Sequence, residues 1–245
     1  MRLTRVFVDL PLAPGTRVVL PESAGAHLVR VLRLREGESC VLFNGDGHDY
    51  DASLLSAGKR GVEAEVKDVR VVDNESPLRL VLLQGIARGE KMDLILQKAT
   101  ELGVAVIAPV FADRTEVRLD GDRLEKRVAH WRSVIASACE QSGRARIPEL
   151  LPPCGLSEAA AALDADALKL TLDPLGEHRF DTLSPVNAAG IVIGIGPEGG
   201  WSEKDRTLLR GAGFTGLRLG PRVLRTETAG LAAIAALQAK FGDIA

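Results

Sequence analysis

The pattern of apolar and polar positions changes character near residue 77. Before that point, short runs rich in β-branched residues are cut by Gly, Pro, Asn and Asp, which is typical of a small β domain. Asn44-Gly45 predicts a hairpin turn, and AGAHLVRVLRLREG (24–37) predicts one short helix that ends at Gly37. The predicted strands are TRVFVDL (4–10), TRVVLP (16–21), SCVLFNG (39–45), YDASLLS (50–56) and VEAEVKDVRVV (62–72).

After the polar linker DNESP (73–77), continuous apolar strands alternate with helices. This alternation predicts a parallel sheet covered on both faces, with ligands bound beyond the carboxyl ends of the strands. Predicted helices end at Gly103 and Gly143, and a final helix begins at TETAG (226–230). The predicted strands are LRLVLLQGIA (78–87), VAVIAPVFA (104–112), ALKLTLD (167–173), GIVIGIG (190–196) and FTGLRLG (214–220).

Composition and charge narrow the class of protein. The chain has 245 residues, a net charge of −2 and 46% hydrophobic residues, the balance of an ordinary globular protein. No apolar run resembles a signal peptide or a membrane span, so we expect a cytoplasmic protein with no membrane partner. Cys40, Cys139 and Cys154 form no C-x-x-C pair and the histidines are scattered, which indicates neither a disulfide framework nor a metal site.

Arginines are concentrated near the N-terminus. Residues 1–35 hold six arginines against two acidic residues, although the whole chain is near neutral. Such a local excess suits phosphate binding by one face, and on composition alone a solvated basic surface accounts for it equally well. The low aromatic content of 4% argues against a large base-stacking platform.

The stretch GIGPEGGW (194–201) matches the dinucleotide-binding fingerprint G-x-G-x-x-G, but its context argues against that function. It lies near the end of the chain, and TGLRLGPRVL (215–224) lacks the acidic residue that would bind a ribose. Pro197 has no N–H, and Glu198 would oppose a phosphate. The loop therefore suits a ligand without phosphates. We expect Ser202 and Asp205 to cap the next helix, with Trp201 packed at its start or stacked on a ligand.

A second loop, LGPRVLRTETAG (219–230), follows the last predicted strand. It repeats the Gly-Pro pairing of the first loop, and Thr226 is the expected N-cap of the final helix. Together the two loops resemble the SPOUT class of S-adenosylmethionine-dependent RNA methyltransferases. Within that class the chain is most similar to the family that methylates N3 of a uridine in small-subunit (16S) ribosomal RNA. The stretches that carry the resemblance are HLVRVLRLREGE (27–38), KMDLILQKATELGV (91–104), ACEQSGR (138–144), GPEGGWSEKD (196–205) and LGPRVLRTETA (219–229).

The resemblance implies a fold and a cofactor. It implies an N-terminal PUA-like β-barrel (1–72) that binds RNA and a C-terminal SPOUT α/β domain (73–245). The second domain would have a parallel sheet, a C-terminal trefoil knot, which is an exception to the rule that chains are unknotted, and an active site at a homodimer interface. The cofactor would be S-adenosylmethionine, bound by Thr171, Leu172, Gly194, Ile195, Gly196, Pro197, Gly199, Leu219, Gly220, Leu224, Arg225, Thr226, Thr228 and Ala229.

The chemistry of the implied reaction assigns roles to two side chains. Uracil N3 carries a proton and is a poor nucleophile, so it must lose that proton as it is methylated. We expect Arg225 to stabilise negative charge on the uracil oxygens and Glu198 to accept the N3 proton or orient the base. The alternatives are an ion pair of Arg225 with Glu227 and a carboxylate at a helix N-terminus for Glu198.

RNA contacts are expected from Arg2, Arg5, Arg30, Arg33 and Arg144, because the guanidinium fork binds phosphate bidentately. The expected partner is ribosomal RNA, within the small ribosomal subunit rather than as bare single strands. No convincing Asn/Arg motif of the ribose-methylating SPOUT branch is present, which favours methylation of a base. Other functions left open by the sequence are methylation of a different RNA base, a non-enzymatic RNA-binding factor and a dinucleotide oxidoreductase.

Overall fold

The computed structural model describes residues 4–58, 61–117, 119–173, 176–184 and 189–244. The chain forms two compact units. Unit 1 comprises Met1–Glu75 and Ala136–Ile147, and unit 2 comprises Ser76–Ile135 and Pro148–Ala245. The division near residue 76 follows the change in hydrophobic pattern, whereas the assignment of the segment 136–147 to unit 1 has no signal in that pattern.

Unit 1 is built on a five-stranded sheet in the order β1-β3-β4-β5-β2. Each of the five predicted strands is confirmed: β1 is Arg5–Phe7, β2 is Arg17–Val19, β3 is Ser39–Phe43, β4 is His48–Gly58 and β5 is Gly61–Val71. β1 pairs with β3 in parallel, and the other pairs are antiparallel. Within the described residues no ladder joins the outer strands β1 and β2. The core contains Val6, Leu28, Leu42, Leu54 and Val66.

The helix of unit 1 differs from its prediction. An α-helix, α1 (Glu22–Ala26), continues as one turn of π-helix (His27–Val31), so the helix ends well before Gly37. Leu28, within the π turn, is buried in the core. The wider turn shifts the backbone hydrogen bonds by one residue, and the 3.6-residue periodicity of the sequence carries no signal for such a shift.

Unit 2 is a parallel sheet in the order β11-β13-β10-β12-β6-β7-β8, with β9 also paired to β7. The five predicted strands are confirmed; β8, β9 and β11, with two residues each, were not predicted. The ranges are Leu80–Gly85 (β6), Val106–Phe111 (β7), Glu149–Leu150 (β8), Cys154–Gly155 (β9), Leu168–Leu172 (β10), His178–Arg179 (β11), Ile191–Ile195 (β12) and Thr215–Arg218 (β13).

The helices of unit 2 agree with the apolar periodicity. The buried face of α2 contains Met92, Ile95, Leu96 and Ala99. Gly103 (φ 81°) follows α2 and Gly143 (φ 89°) follows α3 in the left-handed region, where glycine is favoured at helix C-termini. The ranges are Glu90–Glu101 (α2), Gly121–Ser142 (α3), Leu156–Ala162 (α4), Glu203–Gly211 (α5) and Thr226–Phe241 (α6). The last part of α3, residues 136–142, belongs to unit 1. No helix among the described residues is long and apolar enough to cross a membrane.

Candidate functional site

A cavity of about 340 Å³ lies beyond the carboxyl ends of three neighbouring strands of unit 2. These strands, β13, β10 and β12, are adjacent and parallel, so the segments that follow them meet at one edge of the sheet. Asp173 follows β10, residues 196–201 follow β12, and residues 219–225 follow β13. The cavity volume lies within the range of small-molecule sites.

Most of the residues predicted to bind a cofactor line this cavity. Those brought together are Leu172, Ile195, Gly196, Pro197, Gly199, Leu219, Gly220, Leu224, Arg225, Thr226 and Ala229. Thr171, Gly194 and Thr228 do not belong to the lining. The Thr171 hydroxyl donates instead to the Gly194 carbonyl, 3.3 Å away, so these two residues support the walls from behind.

One hydroxyl joins the two long loops. Thr226 Oγ1 donates to the Gly196 carbonyl at 2.6 Å and accepts from Gln84 Nε2 at 3.3 Å. Gln84 lies on β6 and is fully buried. The prediction that Thr226 is an N-cap is wrong: Arg225 holds the N-cap position without a side-chain cap, and Thr226 lies inside the first turn. Its side chain is used to hold the pocket together.

A close backbone approach fixes the first loop. A Cβ added to Gly85 would lie 2.5 Å from Pro197 Cδ and 2.6 Å from Pro197 N, so only glycine fits at the end of β6. The Ser202 and Asp205 capping box at the start of α5 is confirmed, with Asp205 N 3.1 Å from Ser202 Oγ. Trp201 packs at that helix start and is 5% exposed, while part of it lines the cavity. The loop is therefore held at both ends.

We expect Gly85→Ala to lower the free energy of unfolding by about 1–3 kcal/mol, because the added methyl group overlaps the Pro197 ring and its backbone nitrogen. Urea unfolding followed by circular dichroism measures the loss. Gly155→Ala is the matched control, since a Cβ there meets nothing within 4 Å and φ is −65°. Equal stabilities of the two variants would contradict the close approach.

Two arginines that line the cavity, Arg225 and Arg206, differ in whether their side chains have partners. The Arg225 side chain is exposed and forms no hydrogen bond or ion pair within the part of the chain that the structure describes. In particular, no ion pair links it to Glu227. Arg206 instead donates to Asp173 at 2.7 Å and, through Nε, to the Trp201 carbonyl at 3.4 Å. This pair spans two walls of the cavity. The pair was not predicted, because its partners are 33 residues apart. The available signal was Asp173, an acidic residue at the carboxyl end of a predicted strand.

Glu198 is occupied by contacts to the start of α2. Its Oε1 accepts from the Arg88 backbone N–H at 3.1 Å and from Lys91 Nζ at 3.2 Å. Partial burial raises the pKa of Glu198, but the hydrogen bonds from Arg88 and its own backbone N–H, together with Lys91, outweigh burial and lower the pKa below its usual value. An ionised carboxylate of lowered pKa is a weak proton acceptor at neutral pH. Its position agrees with the helix N-terminal alternative.

The arginines predicted to contact RNA fall into two groups. The Arg5 side chain is buried in unit 1. It donates to Asp49 Oδ1 at 2.6 Å and to the carbonyls of Cys139 (2.8 Å) and Arg144 (3.2 Å), and its guanidinium lies 4.5 Å from the centre of the Phe43 ring. Arg144 is also buried, in an ion pair with Glu75. We correct the prediction for these two residues, because both guanidinium groups are used internally.

Arg30 and Arg33 are exposed on unit 1, as phosphate contact requires. Arg2 lies outside the described residues. Among the described residues, no group of three or more His, Cys, Asp or Glu side chains has an arrangement that could hold a metal ion.

Comparisons with known proteins agree with this geometry. Residues 74–238 match the model of the RNA methyltransferase domain, and residues 20–67 match that of the RNA methyltransferase PUA domain. A ribosomal RNA small subunit methyltransferase E of Buchnera aphidicola is 31% identical over 99% of this chain and 98% of its own length. The protein of the same name from Mycobacterium bovis is 32% identical over 94% of this chain and 89% of its own.

A solved structure gives the same result for the fold. The crystal structure of a ribosomal RNA small subunit methyltransferase E from Neisseria gonorrhoeae, bound to S-adenosyl methionine, superposes with a TM-score of 0.95. It is 41% identical in sequence, and the match covers all of both chains.

Proposed function

Since the chain belongs to the SPOUT-class RNA methyltransferases, we propose that it transfers a methyl group from S-adenosylmethionine to N3 of a uridine in small-subunit (16S) ribosomal RNA. The observation that carries the proposal is the cavity at the ends of β10, β12 and β13, whose lining includes eleven of the fourteen residues predicted to bind the cofactor. The coarser part, an RNA methyltransferase, follows from the family.

The lining fits this cofactor. Leu172, Leu217 and Leu219 offer apolar surface for a flat base, and the glycine loops offer backbone amides and carbonyls close to a ligand. The Asp173 carboxylate, held by Arg206, suits hydroxyl or ammonium donors. S-adenosylmethionine supplies an electrophilic methyl group attached to a sulfonium. No phosphate cradle is built into the loops, because Pro197 lacks a donor and Glu198 is anionic.

Arg225 is the proposed catalytic residue. Its guanidinium lines the cavity and has no partner among the described residues, so it is available to a substrate. We propose that it stabilises negative charge on the uracil oxygens as N3 loses its proton. Glu198 is proposed as a positioning residue that fixes the first loop against α2, rather than as the acceptor of that proton.

The domain roles follow the family resemblance. We propose that residues 1–72 form a PUA-like barrel that binds RNA through Arg30, Arg33 and Arg2, and that residues 73–245 form the catalytic SPOUT domain. We also propose a C-terminal trefoil knot, supported by the strand order β13-β10-β12 and by the tie between Thr226 and Gly196. We also propose that the protein is cytoplasmic and forms a homodimer. Sedimentation equilibrium tests whether the dimer forms.

Two measurements test the function. Calorimetric titration with S-adenosylmethionine and with NAD separates a methyltransferase from an oxidoreductase; binding of NAD alone would contradict the proposal. Incubation of small ribosomal subunits with methyl-labelled cofactor, followed by mass mapping of the modified nucleoside, identifies the target. Label at uridine N3 is expected. Label at another base would restrict the proposal to RNA methylation, and no label with bound RNA would indicate a non-enzymatic binding factor.

We expect Thr226→Val to weaken S-adenosylmethionine binding about fivefold, because one hydrogen bond that aligns the two loops is worth about 1 kcal/mol. Thr226→Ser, which keeps the hydroxyl, is the matched control and is expected to bind within about twofold of the wild type. Calorimetry gives both affinities, and urea unfolding shows whether the fold has changed. If the valine and serine variants bound the cofactor equally well, the hydroxyl would have no part in the pocket.

A further inference from the structure

The end of the helix in unit 1 has an unusual backbone. In the π turn the Leu32 N–H donates to the His27 carbonyl at 3.0 Å, and the Leu34 N–H donates to the Leu28 carbonyl at 3.0 Å. Between these two bonds, Arg33 has φ 58° and is the one residue other than glycine with positive φ in the described part of the chain. The helix therefore ends in a left-handed cap with an arginine at its centre.

Glycine is the usual residue at this position of a cap, because a side chain in the left-handed region costs about 1 kcal/mol. The following residue, Leu34, packs against the core of unit 1, as the residue after such a cap commonly does. The fold thus uses the turn, but the Arg33 guanidinium forms no hydrogen bond or ion pair among the described residues. An unfavourable residue that the fold does not need indicates a role outside the fold.

The cap displays two arginines and two apolar side chains together. Arg30, Val31, Leu32 and Arg33 are all exposed, with Val31 65% and Leu32 39% accessible. Leu28 is fully buried below them and anchors the turn. We call residues 30–33 the helix-end hook. Its surface is therefore basic and apolar, and the buried Leu28 side chain attaches the turn to the core of unit 1.

Nearby acidic groups are engaged elsewhere. Glu38 Oε2 accepts from the Arg35 backbone N–H at 2.7 Å, and Glu36 Oε1 accepts from the Ala57 N–H at 3.3 Å. Neither carboxylate forms an ion pair with Arg30 or Arg33 among the described residues. The two arginines are therefore left to a partner that carries negative charge.

We propose that the helix-end hook binds RNA at an unpaired nucleotide, with Arg30 and Arg33 on phosphates and Val31 and Leu32 against the exposed base or sugar. Arginine forks suit phosphate oxygens, and unstacked nucleotides are what proteins recognise in folded RNA. Aliphatic side chains can occupy the space that an unstacked base leaves. The inference rests on the proposed RNA methyltransferase function. It deepens the RNA contact proposed for Arg30 and Arg33 by adding the apolar side chains of Val31 and Leu32 and an unpaired nucleotide as the feature they bind.

Arg33→Gly tests whether Arg33 binds RNA, because it is expected to raise Tm and to lower RNA affinity. Removal of the unfavourable left-handed side chain is expected to raise Tm by roughly 2–4 °C. Affinity for transcribed small-subunit ribosomal RNA is expected to fall about tenfold, with the slope of log K against log salt reduced by about one contact. A purely structural arginine would change Tm without changing RNA affinity, and this result would overturn the proposal for Arg33.

The double variant Val31→Ser, Leu32→Ser tests the apolar contact. We expect RNA affinity to fall about tenfold while the salt slope stays unchanged, because no charge is removed. The matched control for Arg33→Gly is Arg17→Ala, which removes an arginine elsewhere on the same unit. The Arg17 side chain is 72% exposed, and its Nε lies 4.0 Å from a Glu65 carboxylate oxygen. A loss of affinity in the control equal to that of Arg33→Gly would mean that unit 1 attracts RNA by general charge only.

The outcomes separate this inference from the proposed function. If the wild type transfers no methyl group to RNA, the proposed function fails, whatever the hook does. If the wild type methylates RNA and both hook variants keep its KM, the hook proposal fails together with the RNA contact of Arg33, and the methyltransferase function stands. If the serine variant changes the sedimentation of the protein without RNA, the hook is a contact between two copies of the chain, and the RNA proposal is overturned.

Discussion

Arg225→Ala is expected to reduce the methyl-transfer rate by about 100- to 1000-fold, the usual cost of removing one group that stabilises developing negative charge. Affinity for S-adenosylmethionine is expected to stay within about threefold of the wild type, because the cavity walls are formed mainly by backbone and apolar side chains. Single-turnover transfer of labelled methyl groups to small ribosomal subunits measures the rate, and calorimetry measures cofactor binding.

Two further variants sharpen this experiment. Arg225→Lys keeps the charge but loses the planar fork, so an intermediate rate is expected if geometry as well as charge is required. Arg210→Ala removes an exposed arginine from the last turn of α5, outside the cavity, and controls for the change in net charge. A near-normal rate for Arg225→Ala with normal cofactor binding would exclude the catalytic role.

The second large effect is structural. Asp49→Ala is expected to lower the free energy of unfolding by about 3–5 kcal/mol, because it leaves the Arg5 guanidinium buried without a counter-ion. The side chains of Arg5 and Asp49 are each 6% exposed. After the substitution, Arg5 keeps its hydrogen bonds to the Cys139 and Arg144 carbonyls, but these do not replace a full negative charge.

Urea unfolding of Asp51→Ala provides the comparison. Asp51 lies on the same strand and pairs with Arg70 at 3.0 Å, but it is 43% exposed, so water screens the pair. A loss of less than about 1 kcal/mol is expected for this variant. Losses of similar size at both positions would show that burial does not set the strength of the Arg5–Asp49 pair.

Helices and strands were the most predictable part of the molecule. The strands of three or more residues in both units, and the glycines after α2 and α3, follow from local periodicity and from the backbone freedom of glycine. The π turn and the left-handed Arg33 did not follow, since arginine in a cap contradicts the local preference that prediction uses. Local rules fail where tertiary contacts or function decide the residue.

In the candidate site, too, some features could be predicted from the sequence and others could not. The two Gly-Pro loops marked the cavity because their residues are unusual for packing alone, and their order resembles one family. Pairs between distant segments had no such marker: Arg206 with Asp173, and Thr226 with Gly196. Arg5 and Arg144 were misassigned because composition counts an arginine in the same way whether it is exposed or buried. Only the fold shows that Asp49 and Glu75 neutralise them.

The contacts of Arg5 also determine whether the N-terminal and C-terminal regions of the chain could exist as separate proteins. Its acceptors include carbonyls at 139 and 144, and the Phe7 N–H donates to Glu140, so the first 75 residues complete their own interior with a piece encoded much later. A gene cut between the two pattern regions would yield an N-terminal half that lacks part of unit 1. We therefore expect evolution to keep the two regions in one gene and not to exchange either of them separately between proteins.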